Sequence, residues 1–218
     1  MKMQLQMVGL ILILSASVGS ELRSARSEQI SAGGFSFSDE LCGFRLVSAS
    51  GNGTIIKPFI IVEEFLDIFP AILVIRRQVV SIDQERRPPI AQRGIIYVTK
   101  IVLNLSNKVW RGFDLELRQD LNKPSSFGDG LSFDQIMRRS SDITADKFDK
   151  HYRIFEPRDK ICFEQGYVDP GKRLRLTLPI SDTTPVSKFY LTQTPRFRVA
   201  FHAAHCGNPT SISLALSK

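Results

Sequence analysis

Apolar and polar residues alternate in short runs along most of this chain. Phe113-Asp114-Leu115-Glu116-Leu117-Arg118 does so strictly, the period-2 pattern of a strand with one buried face. Arg173-Leu174-Arg175-Leu176-Thr177-Leu178 repeats it directly after Val168-Asp169-Pro170-Gly171, a turn in which Pro fixes one φ and Gly can supply a positive one. Residues 94–105 form a longer β run with Tyr97, Thr99, Ile101, Leu103 and Leu105 on one face. Further strands are expected over 35–47, 71–82, 152–155, 161–163, 188–194, 197–202 and 211–216. The segment 59–69 reads two ways, because Val62, Phe65, Leu66 and Phe69 recur at helical spacing until Pro70 interrupts. Residues 122–134 read as a Gly/Ser/Asp loop, 138–149 as polar with at most one helical turn, and Arg86-Arg87-Pro88-Pro89 excludes a central strand.

Eight or more short strands, joined by Gly, Pro, Asp and Ser turns and almost without helix, predict an all-β fold. The expected form is an antiparallel β-sandwich with Greek-key connections, Ig-like or jelly-roll-like, with a closed barrel as the alternative.

The N-terminus changes the picture. Lys2 precedes the apolar run Met7 to Leu14, and Ser15-Ala16-Ser17-Val18-Gly19-Ser20 offers small residues for a signal peptidase. The run is far shorter than the ~20 residues that span a bilayer, so it predicts a secretory signal and not an anchor. The expected organisation is a signal peptide over 1–20, a flexible Ser-rich leader over 21–34 and one sandwich domain over 35–218. The released protein is expected to be secreted, extracellular or periplasmic, with no membrane span.

The formal charge of +7 becomes +6 without Lys2. Doubled basic positions occur at Arg76-Arg77, Arg86-Arg87 and Arg138-Arg139, and a face built from them would favour anionic partners. Cys42, Cys162 and Cys206 make an odd count in an oxidising compartment. The expectation is a Cys42–Cys206 disulfide, with Cys162 a free buried thiol.

Candidate chemistry is sparse. His202-Ala203-Ala204-His205-Cys206 offers three metal-ligand types, but on a strand His202 and His205 point to opposite faces and His202 lies roughly 13 Å from Cys206. Asp129 and Asp134 sit in a glycine-containing loop whose oxygens would suit calcium, the one candidate cofactor, although the spacing is not that of an EF-hand. For a hydrolase acting on a carbohydrate or ester, Asp114, Glu116 and His151 are the residues to examine; no Gly-x-Ser-x-Gly motif is present, and no catalytic residue is assigned. Asn52-Gly53-Thr54 and Asn104-Leu105-Ser106 match the glycosylation acceptor pattern. Nucleic acid is not an expected partner, for want of an aromatic platform or a basic helix.

Trp110-Arg111-Gly112-Phe113, Gly166-Tyr167-Val168-Asp169-Pro170-Gly171 and Leu191-Thr192-Gln193-Thr194-Pro195 carry a resemblance over residues 94–196. The stretch resembles a β-sandwich module of bacterial secreted proteins, of the kind found beside hemolysin-type calcium-binding repeats or surface-sorting segments. The resemblance implies a sandwich fold and export, and no catalytic residue. Trp110 then reads as a core or edge anchor, or as a ring on which a sugar could stack; with Arg86 and Arg87 it forms the candidate ligand-binding set. The functional expectation is an exported, non-enzymatic sandwich that binds an anionic surface polysaccharide or another exported protein.

Overall fold

The computed structural model describes residues 27–78, 94–133 and 142–197. The expected signal peptide, Arg86, Arg87, Arg138, Arg139, Asp134, His202, His205, Cys206 and the strands expected within 198–218 lie outside these residues.

Thirteen strands are described: β1 (Gln29–Ala32), β2 (Phe35–Ser38), β3 (Arg45–Ser50), β4 (Phe59–Phe65), β5 (Ala71–Arg77), β6 (Ile95–Asn104), β7 (Gly112–Arg118), β8 (Leu131–Phe133), β9 (Thr144–Ala145), β10 (Phe148–Ile154), β11 (Lys160–Gly166), β12 (Arg173–Asp182) and β13 (Lys188–Arg196). A 3-10 turn spans Phe127–Asp129. One sheet has the order β1-β2-β5-β13-β7-β11-β10; the other runs β3-β4-β6-β12-β8, with β9 also pairing with β12. This is the expected all-β sandwich. Pairing is antiparallel except between β4 and β6, which run parallel, Phe59 opposite Val98 and Phe65 opposite Asn104.

The two sheets face each other across a continuous apolar core. Phe113, Leu115 and Leu117 of β7 and Leu73 and Ile75 of β5 meet Phe59, Ile61 and Phe65 of β4 and Leu174, Leu176 and Leu178 of β12. Each fully buried side chain of this size contributes about 1.5–3 kcal/mol by leaving water.

Several expectations are corrected. Residues 35–47 are two strands in different sheets, because Cys42 and Gly43 take positive φ (62° and 91°) and turn the chain across. A Cβ on Gly43 would come within 2.8 Å of Ala71 Cα, so the crossing requires glycine. The end of the leader is ordered, since β1 pairs with β2 in a hairpin. Segment 59–65 is a strand: Phe59, Ile61, Glu63 and Phe65 point inward, with a parallel neighbour to hold them. In β6 the inward set is Ile96, Val98, Lys100, Val102 and Asn104, so Tyr97, Ile101 and Leu103 lie on the other face. Residues 131–133 are a strand where a loop was expected, 144–145 form a short strand within the stretch read as polar, and the strand expected over 152–155 begins earlier, at Phe148. β8 and β10 are edge strands; β10 leaves Asp149 and Lys150 in solvent, whereas all three residues of β8 are buried.

Candidate functional site

Trp110 does not face a ligand. It is fully buried, with its ring 5.7 Å from Phe65 and 5.6 Å from Phe113. Its indole N–H donates to Ser106 Oγ at 3.2 Å. That serine is held by Asn104, whose buried amide donates to the carbonyls of Lys108 (2.8 Å) and Val168 (3.0 Å) and accepts from Ser106. The sugar-stacking option for Trp110 is therefore ruled out by burial. The same amide is unavailable for glycosylation, while Asn52, exposed, accepts from Thr54 in its own turn.

Asp114 and Glu116 point away from the core, as their parity requires, yet they are buried and not solvated. Lys160 Nζ and Arg196 Nε each lie 2.9 Å from Asp114, and Arg118 (2.8 Å) and Arg158 (3.4 Å) lie beside Glu116. Position in the middle of the wider sheet makes this happen, because β13 and β11 flank β7 with long basic side chains whose stems cover the carboxylates. His151 is on the other side of that sheet. It pairs with Phe163, which pairs with inward-facing Phe113, whereas Asp114 pairs with Cys162. Burial lowers the His151 pKa, and its ring lies 5.9 Å from that of Phe163. The three residues weighed for hydrolysis therefore do not converge.

A second cluster escaped the sequence reading. Asp159, fully buried, accepts from the Ser132 hydroxyl, from Phe133 N–H (2.9 Å) and from Arg153 Nη2 (3.2 Å), and Arg153 also donates to Ser132 (2.7 Å). The Arg153 guanidinium lies over the Phe155 ring at 4.6 Å and the Phe127 ring at 5.7 Å. Burial pushes the Asp159 pKa up, opposed by these partners. The cluster ties edge strand β8 of one sheet to the β10–β11 edge of the other. Buried and saturated with partners, it is built for joining sheets and not for attack on a substrate.

Asp129 caps its own loop, accepting from Ser126 N–H (3.1 Å) and Leu131 N–H (3.0 Å). No group of three or more His, Cys, Asp or Glu able to hold a metal occurs among the described residues. Arg76 is paired with Glu40, whose pKa that hydrogen bond lowers, and Arg77 donates to Asp182 at 3.0 Å and covers the Phe35 ring. The described doubled pair is thus already neutralised.

The cysteine expectation is overturned. Cys42 is free and exposed in the turn between β2 and β3. Cys162 is buried and disulfide-bonded, its partner lying outside the described residues.

Exposed apolar side chains occur in loops at both ends of the sandwich: Ile55 and Ile56 precede β4 at one end, and four more lie together at the other. Leu66 and Phe69 (each 65% exposed) follow β4, Leu105 follows β6, and Tyr167 follows β11. Leu105 N–H donates to Phe65 O, and Trp110 and Val168 pair backbone to backbone, so these loops adjoin. The pattern placed Leu66 and Phe69 in a helical period and Leu105 on a strand face, but β4 ends at Phe65 and β6 at Asn104, so all three fall in loops.

These features define a class, an all-β two-sheet sandwich whose described ionisable clusters are structural. No protein-family model, curated protein or solved structure matches the chain. Among the described residues, no helix is long and apolar enough to cross a membrane.

Proposed function

We propose that this chain is an exported, non-enzymatic sandwich that binds an anionic partner at the cell surface. The observation that carries the reading is the fate of the hydrolase candidates: Asp114 and Glu116 each sit between two cations, and the sheet stands between them and His151. Carboxylates so held lack the free acid and base roles that hydrolysis demands. Export is supported by the N-terminal apolar run and by the disulfide at Cys162, a bond that persists in oxidising compartments. The resemblance of residues 94–196 to bacterial secreted modules agrees with it.

The test has two readouts. Intact mass of the exported protein should show loss of about the first 17 to 27 residues. Its binding to the surface of the producing cells should fall steeply as the screening length shrinks from about 30 Å to about 8 Å. Full-length protein kept in the cytoplasm, or surface binding indifferent to salt, overturns the reading.

A further inference from the structure

Three neighbouring strands end together at the end of the sandwich that carries Leu66, Phe69, Leu105 and Tyr167. Phe65 of β4 is in register with Asn104 of β6, and Asn104 exchanges backbone bonds with Lys172 and Gly171 at the start of β12. Leu66, Leu105 and Lys172 therefore leave adjacent strand ends side by side. Asn104 also holds the Lys108 carbonyl, and the Arg111 guanidinium lies 5.7 Å from the centre of the exposed Tyr167 ring. The three loops 66–70, 105–111 and 167–173 together carry four cations, Lys108, Arg111, Lys172 and Arg173, all exposed, against Asp67 and Asp169. Asp67 is engaged with Ile68 N–H. A fourth loop at this end, 39–44, adds Asp39, which accepts from the backbone of Glu28 and Leu46, and Glu40, which is paired with Arg76.

We propose that this end docks on an anionic lipid surface. The inference rests on the surface-binding reading above and names its partner. Leu66, Phe69 and Leu105 are aliphatic or unadorned aromatic tips with no polar group to offer a sugar; the acyl boundary of a lipid layer is what would take them out of water. Cations beside them lie where anionic headgroups would lie, and Tyr167 has the amphipathic ring that favours the interface. A polysaccharide would use the cations and leave the leucines and Phe69 in water.

The exported protein is sedimented with phosphatidylcholine vesicles, with or without phosphatidylglycerol at about one part in three, and in parallel passed over immobilised dextran sulfate. Binding is expected only to the anionic vesicles. Lys108→Gln and Arg111→Gln should each weaken it by roughly fivefold, and Leu66→Ser with Phe69→Ser should weaken it at least tenfold with circular dichroism and melting unchanged. Vesicle binding that survives all four changes overturns the assignment of this end. Retention on dextran sulfate without vesicle binding overturns the lipid partner and leaves the anionic-partner reading standing. Failure on both matrices overturns both.

Discussion

Lys100 and Glu63 form an ion pair inside the sandwich, Nζ to Oε1 at 2.5 Å, with both side chains fully buried. They belong to neighbouring parallel strands and point into the core from the inward parity of each. Burial lowers the Lys100 pKa, and Glu63 opposes that. Removing one partner strands a charge in a low dielectric, whereas removing both does not. Lys100→Met or Glu63→Leu alone should cost about 3–5 kcal/mol, and the double variant much less, near neutral. Urea unfolding of the three variants checks this. Additive losses would mean that the charges do not act as a pair.

Fold class was legible because alternation survives in β7 and the first half of β12, where one face meets the core. It failed where another residue changed the rules. β6 is apolar on both faces, so parity could not be chosen from the sequence, and a lysine on the inward face argues against the true choice unless Glu63, 37 positions earlier, is known to stand beside it. The helix-like spacing of Val62, Phe65, Leu66 and Phe69 was coincidence: Phe59, Ile61, Glu63 and Phe65 form the inward row, and a buried glutamate hides its period. Asp114 and Glu116 were placed on the correct face, but their four cationic neighbours come from the same strand, from the turn before β11, from β11 and from β13, beyond the reach of local pattern.

Trp110, the single tryptophan, is a buried reporter. Its fluorescence should be blue-shifted and poorly quenched by acrylamide, and should not move when oligosaccharides are added. Trp110→Ala should cost about 3–5 kcal/mol by opening a cavity among aromatic rings. A red-shifted, readily quenched native spectrum would place the indole at the surface.

Thiol chemistry separates the cysteines. A maleimide applied to the native protein should label Cys42 alone, and non-reducing peptide mapping should find the Cys162 peptide cross-linked to that of Cys206, the remaining cysteine. A peptide joining Cys42 to either of the others would contradict this arrangement.

His151 gives stability a pH dependence of known sign. Burial holds its folded pKa below 6.5, so the unfolded chain takes up the proton first as pH falls. Its contribution is present above about pH 6.5 and is lost as pH drops toward the folded value. Melting temperatures of the protein and of His151→Gln, compared between neutral and mildly acidic pH, should show a shallower decline for the variant. Equal slopes would remove His151 from the account.

The described charged clusters are internally paired, and the loops 66–70, 105–111 and 167–173 form the proposed docking surface. Backbone amide shifts, followed by NMR as a short-chain phosphatidylglycerol is titrated into the protein, test it residue by residue. Shifts should concentrate in residues 66–70, 105–111 and 167–173 and leave Asp114, Glu116 and Lys160 unmoved. Shifts centred on Asp114, Glu116, Lys160 and Arg196, with the loop end silent, would contradict it.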